Sequence, residues 1–166
     1  MMLYVSVFDV RRIRDALETE GVLAAAPSVQ NEFRADASWF VRGYYQFWRA
    51  LPYIQEGMMG AGVYALNREG RRRFEEFPPL IADDGFVRAH YAPGERVEVR
   101  TAVSTVWAPA KLWDLVLIKT RSRLGFFQLR QRHPELFRNE AKTKHYRQAL
   151  KAILRRPNVW PAAIPY

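Results

Sequence analysis

The chain of 166 residues contains no cysteine and no long apolar run. Without cysteine there is no disulfide framework and no thiolate nucleophile, which agrees with a reducing cytosol. No stretch of ~18 apolar residues occurs, so no segment is predicted to span a membrane. Histidine is scarce, and His90, His133 and His145 lack both metal-ligand spacing and a Ser–His–Asp series. The sequence therefore argues against a zinc centre and against a triad hydrolase.

Positive charge is concentrated in the last third of the chain. The net charge is +9, yet residues 1–110 hold 13 Lys or Arg against 14 Asp or Glu, whereas residues 111–166 hold 13 against 3. A nucleic-acid-binding protein is not expected to divide its charge in this way, and no nucleic-acid-binding motif is present. A neutral body with one basic segment suits phosphates or an anionic membrane surface. We expect residues 111–166 to form a basic, amphipathic helical segment within a single domain.

Apolar patterning predicts an α/β fold. Met2–Phe8 and Val22–Ala26 are predicted strands, and Val10–Thr19 between them has the spacing of a short helix. An alternating run predicts a further strand over Arg96–Val106, after which Pro109 is expected to begin a helix. Further helices are expected over Asp36–Leu51, Arg68–Phe77 and Phe86–Tyr91, and from Asn139 to Pro157.

A pair of adjacent carboxylates is the strongest candidate for chemistry. Asp83 and Asp84 lie in the motif IADDGFVR, between an apolar segment and an aromatic residue. Carboxylates are costly to bury unpaired, and at the mouth of a site such pairs serve as base and orienter or as metal ligands. The alternative is structural, because Asp favours helix N-caps and Asp84 could cap a helix from Phe86 onward. The spacing alone leaves both interpretations open.

Two other motifs have weaker signals. In MGAGVYAL, Gly60 and Gly62 let the backbone approach a ligand, although Gly-Ala-Gly also suits a plain turn. In KTRSRLG, Arg121 and Arg123 could bind a diphosphate, since guanidinium groups pair with phosphate in a bidentate manner. A solvated run of charge is the alternative for these arginines.

The order of the three motifs resembles the second half of family-2 glycosyltransferases of the GT-A fold. That family includes cellulose, chitin and hyaluronan synthases and many bacterial polysaccharide enzymes. The stretch GAGVYALNREGRRRFEEFPPLIADDGFVR carries the closest likeness, within a resemblance over roughly residues 10–125. The resemblance implies a partial GT-A-like (Rossmann-like) sheet flanked by helices. It also implies inverting transfer of a sugar from a nucleotide-sugar donor to a hydroxyl acceptor, a glycan or a lipid-linked group, in cell-envelope polysaccharide or glycolipid synthesis.

The resemblance also implies residue roles. Asp84 matches the general base that deprotonates the acceptor hydroxyl, and Asp83 stands at the first acidic position, which is usually Glu. Gly60 and Gly62 match the loop near the acceptor and the sugar. Together these residues describe the acceptor side of a glycosyltransferase.

Two regions depart from the family pattern. Arg121 and Arg123 match the arginines of the Q-R-x-R-W motif of processive members and would bind the diphosphate, but Thr120 and Leu124 replace its Gln and Trp. These replacements favour transfer of a single sugar. The family opens with a donor-binding half and a D-x-D motif for Mn²⁺ or Mg²⁺, of which Asp9 is the one candidate remnant. We therefore expect an N-terminally truncated domain whose divalent-metal site is not evident.

Location and partners follow from the same reasoning. The resemblance implies a cytoplasmic protein at the inner face of a membrane, with peripheral membrane contact through the basic segment. The alternative hypothesis is a non-catalytic remnant that binds a partner or an anionic membrane surface through residues 111–156. The missing donor half favours the remnant, and the intact Asp83-Asp84 loop favours the enzyme. A homo-oligomer that completes the sheet is compatible with either.

Overall fold

The computed structural model describes residues 3–49 and 62–139. Within these residues the chain is a mixed α/β protein with four strands, five α-helices and one 3-10 helix, as the α/β prediction requires. The elements in chain order are β1 (Leu3–Val5), α1 (Val7–Leu17), β2 (Ala24–Glu32), α2 (Trp39–Arg49), β3 (Ala65–Leu66), α3 (Arg68–Arg71), α4 (Asp83–Ala89), β4 (Arg96–Trp107), α5 (Leu112–Arg132) and the 3-10 helix Pro134–Asn139.

The strands form one mixed sheet in the order β1-β4-β2-β3. The central strands β2 and β4 are parallel, and each has an antiparallel neighbour at the edge, β3 beside β2 and β1 beside β4. The register between β2 and β4 shifts between Pro27 and Ser28. Proline has no N–H to donate and is tolerated at such irregularities, which explains why β2 continues past it. The strand predicted over Val22–Ala26 is therefore longer than expected.

The two faces of the sheet carry different helices. Three successive alanines at the start of β2 are almost fully buried, and successive strand residues alternate between the faces. Ala25 packs with Ile13 of α1, whereas Ala24 and Ala26 pack into a larger cluster on the opposite face. That cluster contains Leu23, Phe74, Phe86, Val87, Tyr91 and Leu129 and joins α4 and α5 to the sheet.

The first predicted strand ends early because a helix cap interrupts it. β1 covers only Leu3–Val5, and α1 begins at Val7. Ser6 accepts a hydrogen bond from the backbone N–H of Asp9, and the Asp9 carboxylate accepts one from the backbone N–H of Ser6. This reciprocal capping box satisfies N–H groups at the helix start and fixes the strand-to-helix boundary.

The helix predicted over Arg68–Phe77 is shorter than expected, because α3 ends at Arg71. The Arg71 guanidinium donates hydrogen bonds to the carbonyl oxygens of Phe74 and Glu75, at 2.5 and 3.0 Å. Because these hydrogen bonds satisfy the two carbonyl groups without a helix, α3 can end after one turn.

The long helix α5 begins at Leu112, with Lys111 as its N-cap, rather than at Pro109. None of the helices in the described part of the chain is both long and apolar enough to cross a membrane. The basic helix expected from Asn139 to Pro157 falls almost entirely outside the described residues, so that prediction is not tested.

Candidate active site around Asp84

Asp83 and Asp84 form the first turn of α4. The N-cap of this helix is Ala82, which makes no side-chain capping bond, so the interpretation that Asp84 caps a helix from Phe86 onward is wrong. Carboxylates near a helix N-terminus are stabilised by the helix dipole. The apolar residues of the same helix are buried in the core, so α4 holds both carboxylates at the rim of that core.

Asp84 is the more buried of the two carboxylates, and Asp83 is exposed. Desolvation raises the pKa of Asp84, and the charge of Asp83 raises it further. The backbone N–H of Gly85 donates to Asp84 Oδ1 at 2.7 Å, and this hydrogen bond lowers the pKa without cancelling the rise. A carboxylate with a raised pKa accepts a proton more readily than an ordinary Asp, which is the property that a general base requires.

Tyr64 is a neighbour of the acidic pair that the sequence did not single out. Burial raises the pKa of Tyr64, and the charges of Asp83 and Asp84 raise it further. Tyr64 also packs against the apolar cluster that anchors α4. Gly62, two residues before it, has a φ of 82°, the left-handed conformation that favours glycine. The end of the predicted glycine loop thus leads to the acidic pair, while Gly60 lies outside the described residues.

Gly125 brings α5 against the segment that leads into α4. A Cβ atom at Gly125 would lie 2.9 Å from the backbone nitrogen of Ala82 and 2.9 Å from Ile81 Cβ. These distances leave room only for glycine, so the α5 backbone touches the residues directly before Asp83. A glycine inside an apolar helix is the one sequence signal that points to such a close approach.

Gln128 follows Gly125 by three residues and is a second group that sequence reasoning missed. Its Oε1 atom is buried and accepts no hydrogen bond within the described residues. Buried acceptors of this kind normally have a donor, and a water molecule is the simplest one.

Arg121 and Arg123 both lie on α5 and are exposed. Residues two apart on a helix do not face each other, since each step turns the helix by about 100°. The predicted clamp of both arginines on one diphosphate therefore does not fit this helix. Arg121, four residues before Gly125, is the one on the Gly125 side.

A further cation, Lys119, lies in an aromatic cluster between α2 and α5. Its Nζ atom is 5.0 Å from the ring centroids of Tyr44 and Trp48 and 5.5 Å from that of Tyr45. Burial lowers the pKa of Lys119 to about 8. The faces of the rings attract the ammonium group, so this lysine links α2 to α5 and is not part of the site around the acidic pair.

Asp9, the candidate remnant of a metal motif, forms part of the capping box at the start of α1. Its carboxylate accepts hydrogen bonds from the backbone N–H of Ser6 at 3.3 Å and of Val103 at 3.2 Å, and pairs with Arg12 at 3.4 Å. The side-chain hydrogen bond from Ser6 is the main reason that the pKa of Asp9 is lowered. Across residues 3–49 and 62–139, no group of three or more His, Cys, Asp or Glu could hold a metal ion. The Mn²⁺ or Mg²⁺ expected from the resemblance stays a prediction.

Comparisons of the chain with protein-family models, with curated proteins and with solved structures found no match. The resemblance to family-2 glycosyltransferases thus rests on the motifs in the sequence.

Proposed function

We propose that the chain is an inverting glycosyltransferase that moves a sugar from a nucleotide-sugar donor to a hydroxyl acceptor. The observation that carries the proposal is Asp84, a partly buried carboxylate with a raised pKa that adjoins Asp83 and lies within electrostatic range of Tyr64. The charge of Arg88, which follows on the same helix, lowers the pKa of Asp84, but burial outweighs this effect. A poised base in a partly apolar site is typical of proton abstraction.

The chemistry assigned to Asp84 is removal of one proton. The acceptor O–H bond breaks, its proton passes to the Asp84 carboxylate, and the acceptor oxygen attacks the anomeric carbon. The bond between that carbon and the diphosphate oxygen breaks, and its electron pair leaves with the nucleoside diphosphate. Attack from the face opposite to the leaving group inverts the anomeric configuration.

The leaving diphosphate carries negative charge, and Arg121 is the candidate to bind it. This arginine lies one helical turn from Gly125, where α5 contacts the segment before Asp83. Its guanidinium would stabilise charge that develops on the leaving group. No step of the proposal passes through a metal ion.

The proposed function also implies a particular fold and a particular location in the cell. We propose that the mixed sheet with its parallel centre is part of a GT-A-like domain. We also propose that the protein acts in the cytoplasm, at the inner face of a membrane, where the acceptor is a glycan or a lipid-linked group. The apolar, cation-rimmed α5 supports this location.

The test compares the full chain with its Asp84→Asn variant, first for donor binding and then for turnover. Calorimetric titration with a panel of nucleotide-sugars, with and without Mn²⁺ or Mg²⁺, identifies a donor, and release of the nucleoside diphosphate measures transfer. We expect Asp84→Asn to bind the donor normally and to lose turnover by roughly 10²–10⁴-fold, the usual contribution of a general base.

The control for this test is Asp114→Asn, which removes an exposed carboxylate from the first turn of another helix, α5. It should leave turnover unchanged. Full activity in Asp84→Asn would overturn the assignment of the base. A folded protein that binds no donor would instead favour the non-catalytic alternative.

A further inference from the structure

The helix α5 has two apolar sides, and among the described residues only one of them packs against the rest of the fold. Leu115, Gly125 and Leu129 are buried on the inward side, and Leu115 and Leu129 belong to the hydrophobic clusters. The outward side also carries large apolar residues. These exposed residues are Trp113, Val116, Leu117, Leu124 and Phe127.

The exposed residues form a continuous stripe along the helix. Positions 113, 117, 124 and 127, with Thr120 between them, follow steps of four, three, four and three residues, so they lie on one side of α5. At a rise of 1.5 Å per residue, the stripe is roughly 21 Å long. A stripe of this length with a tryptophan at one end is larger than the scattered apolar residues of an ordinary protein surface.

Cations line both edges of this stripe. Helical geometry places Arg121 and Arg132 along one edge and Arg123 and Arg130 along the other. Within α5 the only acidic residue is Asp114, in the first turn. The following sequence, residues 140–166, adds six Lys or Arg against one Glu. The charge around the stripe is therefore complementary to an anionic surface on both sides.

We propose that the outward face of α5 docks on an anionic lipid surface, with its apolar stripe in the interface and Arg123, Arg130 and Arg132 at the headgroups. Amphipathic helices with basic edges and an aromatic or leucine-rich face bind bilayers in this way. Each Lys or Arg near an anionic leaflet adds attraction, and tryptophan favours the interface between water and hydrocarbon. The proposal goes beyond sugar transfer, because docking requires no catalysis.

Docking in this orientation fixes where the acidic pair lies. The opposite side of α5 contacts Ile81 and Ala82, directly before Asp83. The helix would thus lie between the bilayer and the Asp83–Asp84 turn, so an acceptor group attached to a lipid would have to extend roughly 10 Å past α5 to reach Asp84. This point alone rests on the proposed function.

The test is sedimentation of the full chain with vesicles of phosphatidylcholine, alone or mixed with phosphatidylglycerol. The variant is Trp113→Gln with Phe127→Gln, which shortens the apolar stripe and keeps every charge. We expect the wild-type chain to bind the mixed vesicles, less strongly at high salt, and the variant to bind at least about 10-fold more weakly.

The matched control is Phe8→Gln with Trp39→Gln, which removes the same two residue types from other surfaces. The exposed fractions are comparable, 69% for Trp113 and 62% for Phe127 against 62% for Trp39 and 69% for Phe8. This control should bind vesicles as the wild-type chain does. Equal binding by the Trp113/Phe127 variant would mean that basic charge alone drives attachment and would overturn the proposal.

Two other outcomes would also overturn it. Absence of binding to any vesicle would exclude lipid as the occupant, and self-association lost in the Trp113/Phe127 variant would identify a second copy of the chain instead. The Asp84→Asn variant should bind vesicles normally. Docking and catalysis can therefore fail independently of each other.

Discussion

At the scale of single residues, Gly125 and Asp84 define the candidate site in different ways. Asp84 is visible in the sequence because adjacent carboxylates in an apolar setting are unusual. The importance of Gly125 depends on its distance from Ile81 and Ala82, residues more than forty positions earlier in the chain. Local patterning carries no information about such a contact.

The contact at Gly125 makes a direct prediction. Gly125→Ala should lower the free energy of unfolding by about 1–3 kcal/mol, since the added methyl group overlaps backbone and Ile81. The helix preference of alanine offsets part of this cost, by about 0.5–1 kcal/mol. Urea unfolding of both proteins measures the difference. Gly94→Ala is the control, because a Cβ there meets nothing within 4 Å, and an equal effect at both positions would contradict the close-approach argument.

A second prediction at this scale concerns pH. Because burial raises the pKa of Asp84, the folded state keeps a proton on this carboxyl group at pH values where the unfolded chain has released it. The contribution of Asp84 to stability therefore falls as the pH rises above 3.8. Asp84→Asn should therefore be more stable than the wild-type protein at neutral pH and lose this advantage below pH 3.8. Thermal unfolding across that range tests it, with Asp114→Asn as the exposed control. An Asn variant that is less stable at neutral pH would contradict the prediction.

At the scale of elements, the joint between α2 and α5 depends on Lys119. Burial lowers the pKa of Lys119 from 10.5 to about 8, so between these values the unfolded chain binds a proton that the folded chain has released. Stability should rise with pH across this window. Lys119→Met should remove the rise, which urea unfolding at pH 8 and pH 10.5 would detect. Lys111→Met, at the exposed N-cap of α5, should show the same rise of stability with pH as the wild-type protein. If the rise survives in Lys119→Met, another group is responsible for it.

The elements also show what the sequence could predict. The strand expected over Arg96–Val106 is confirmed as β4, because apolar residues alternate along most of it, although the alternation breaks at Arg100 and Thr101, which are both exposed. The end of β1 was missed, although Ser6 and Asp9 form a capping signal that is readable from the sequence. The length of α3 was missed for a different reason, since Arg71 binds carbonyls that only the tertiary structure places near it.

At the scale of the whole molecule, the assembly of layers was the least predictable property. The sequence predicted an amphipathic helix, whereas α5 carries large apolar residues on two sides, and the spacing could not tell which side faces the core. That choice depends on Gly125, which allows the backbone of α5 to contact the Ile81–Ala82 segment. The α/β class followed from the alternation of strand and helix patterns, whereas the order β1-β4-β2-β3 depends on pairings between distant strands.

The parallel pairing of β2 with β4 has a consequence for how the chain folds during synthesis. About 60 residues separate the end of β2 from the start of β4, and in the part of the chain that the structure describes the only other neighbour of β2 is the two-residue strand β3. Until β4 leaves the ribosome, the apolar start of β2 has no partner in the centre of the sheet. Contacts so distant in sequence form slowly, and unpaired strand edges are prone to aggregate. We therefore expect the sheet to stay unformed until β4 has left the ribosome, and the nascent chain to depend on chaperones during that interval.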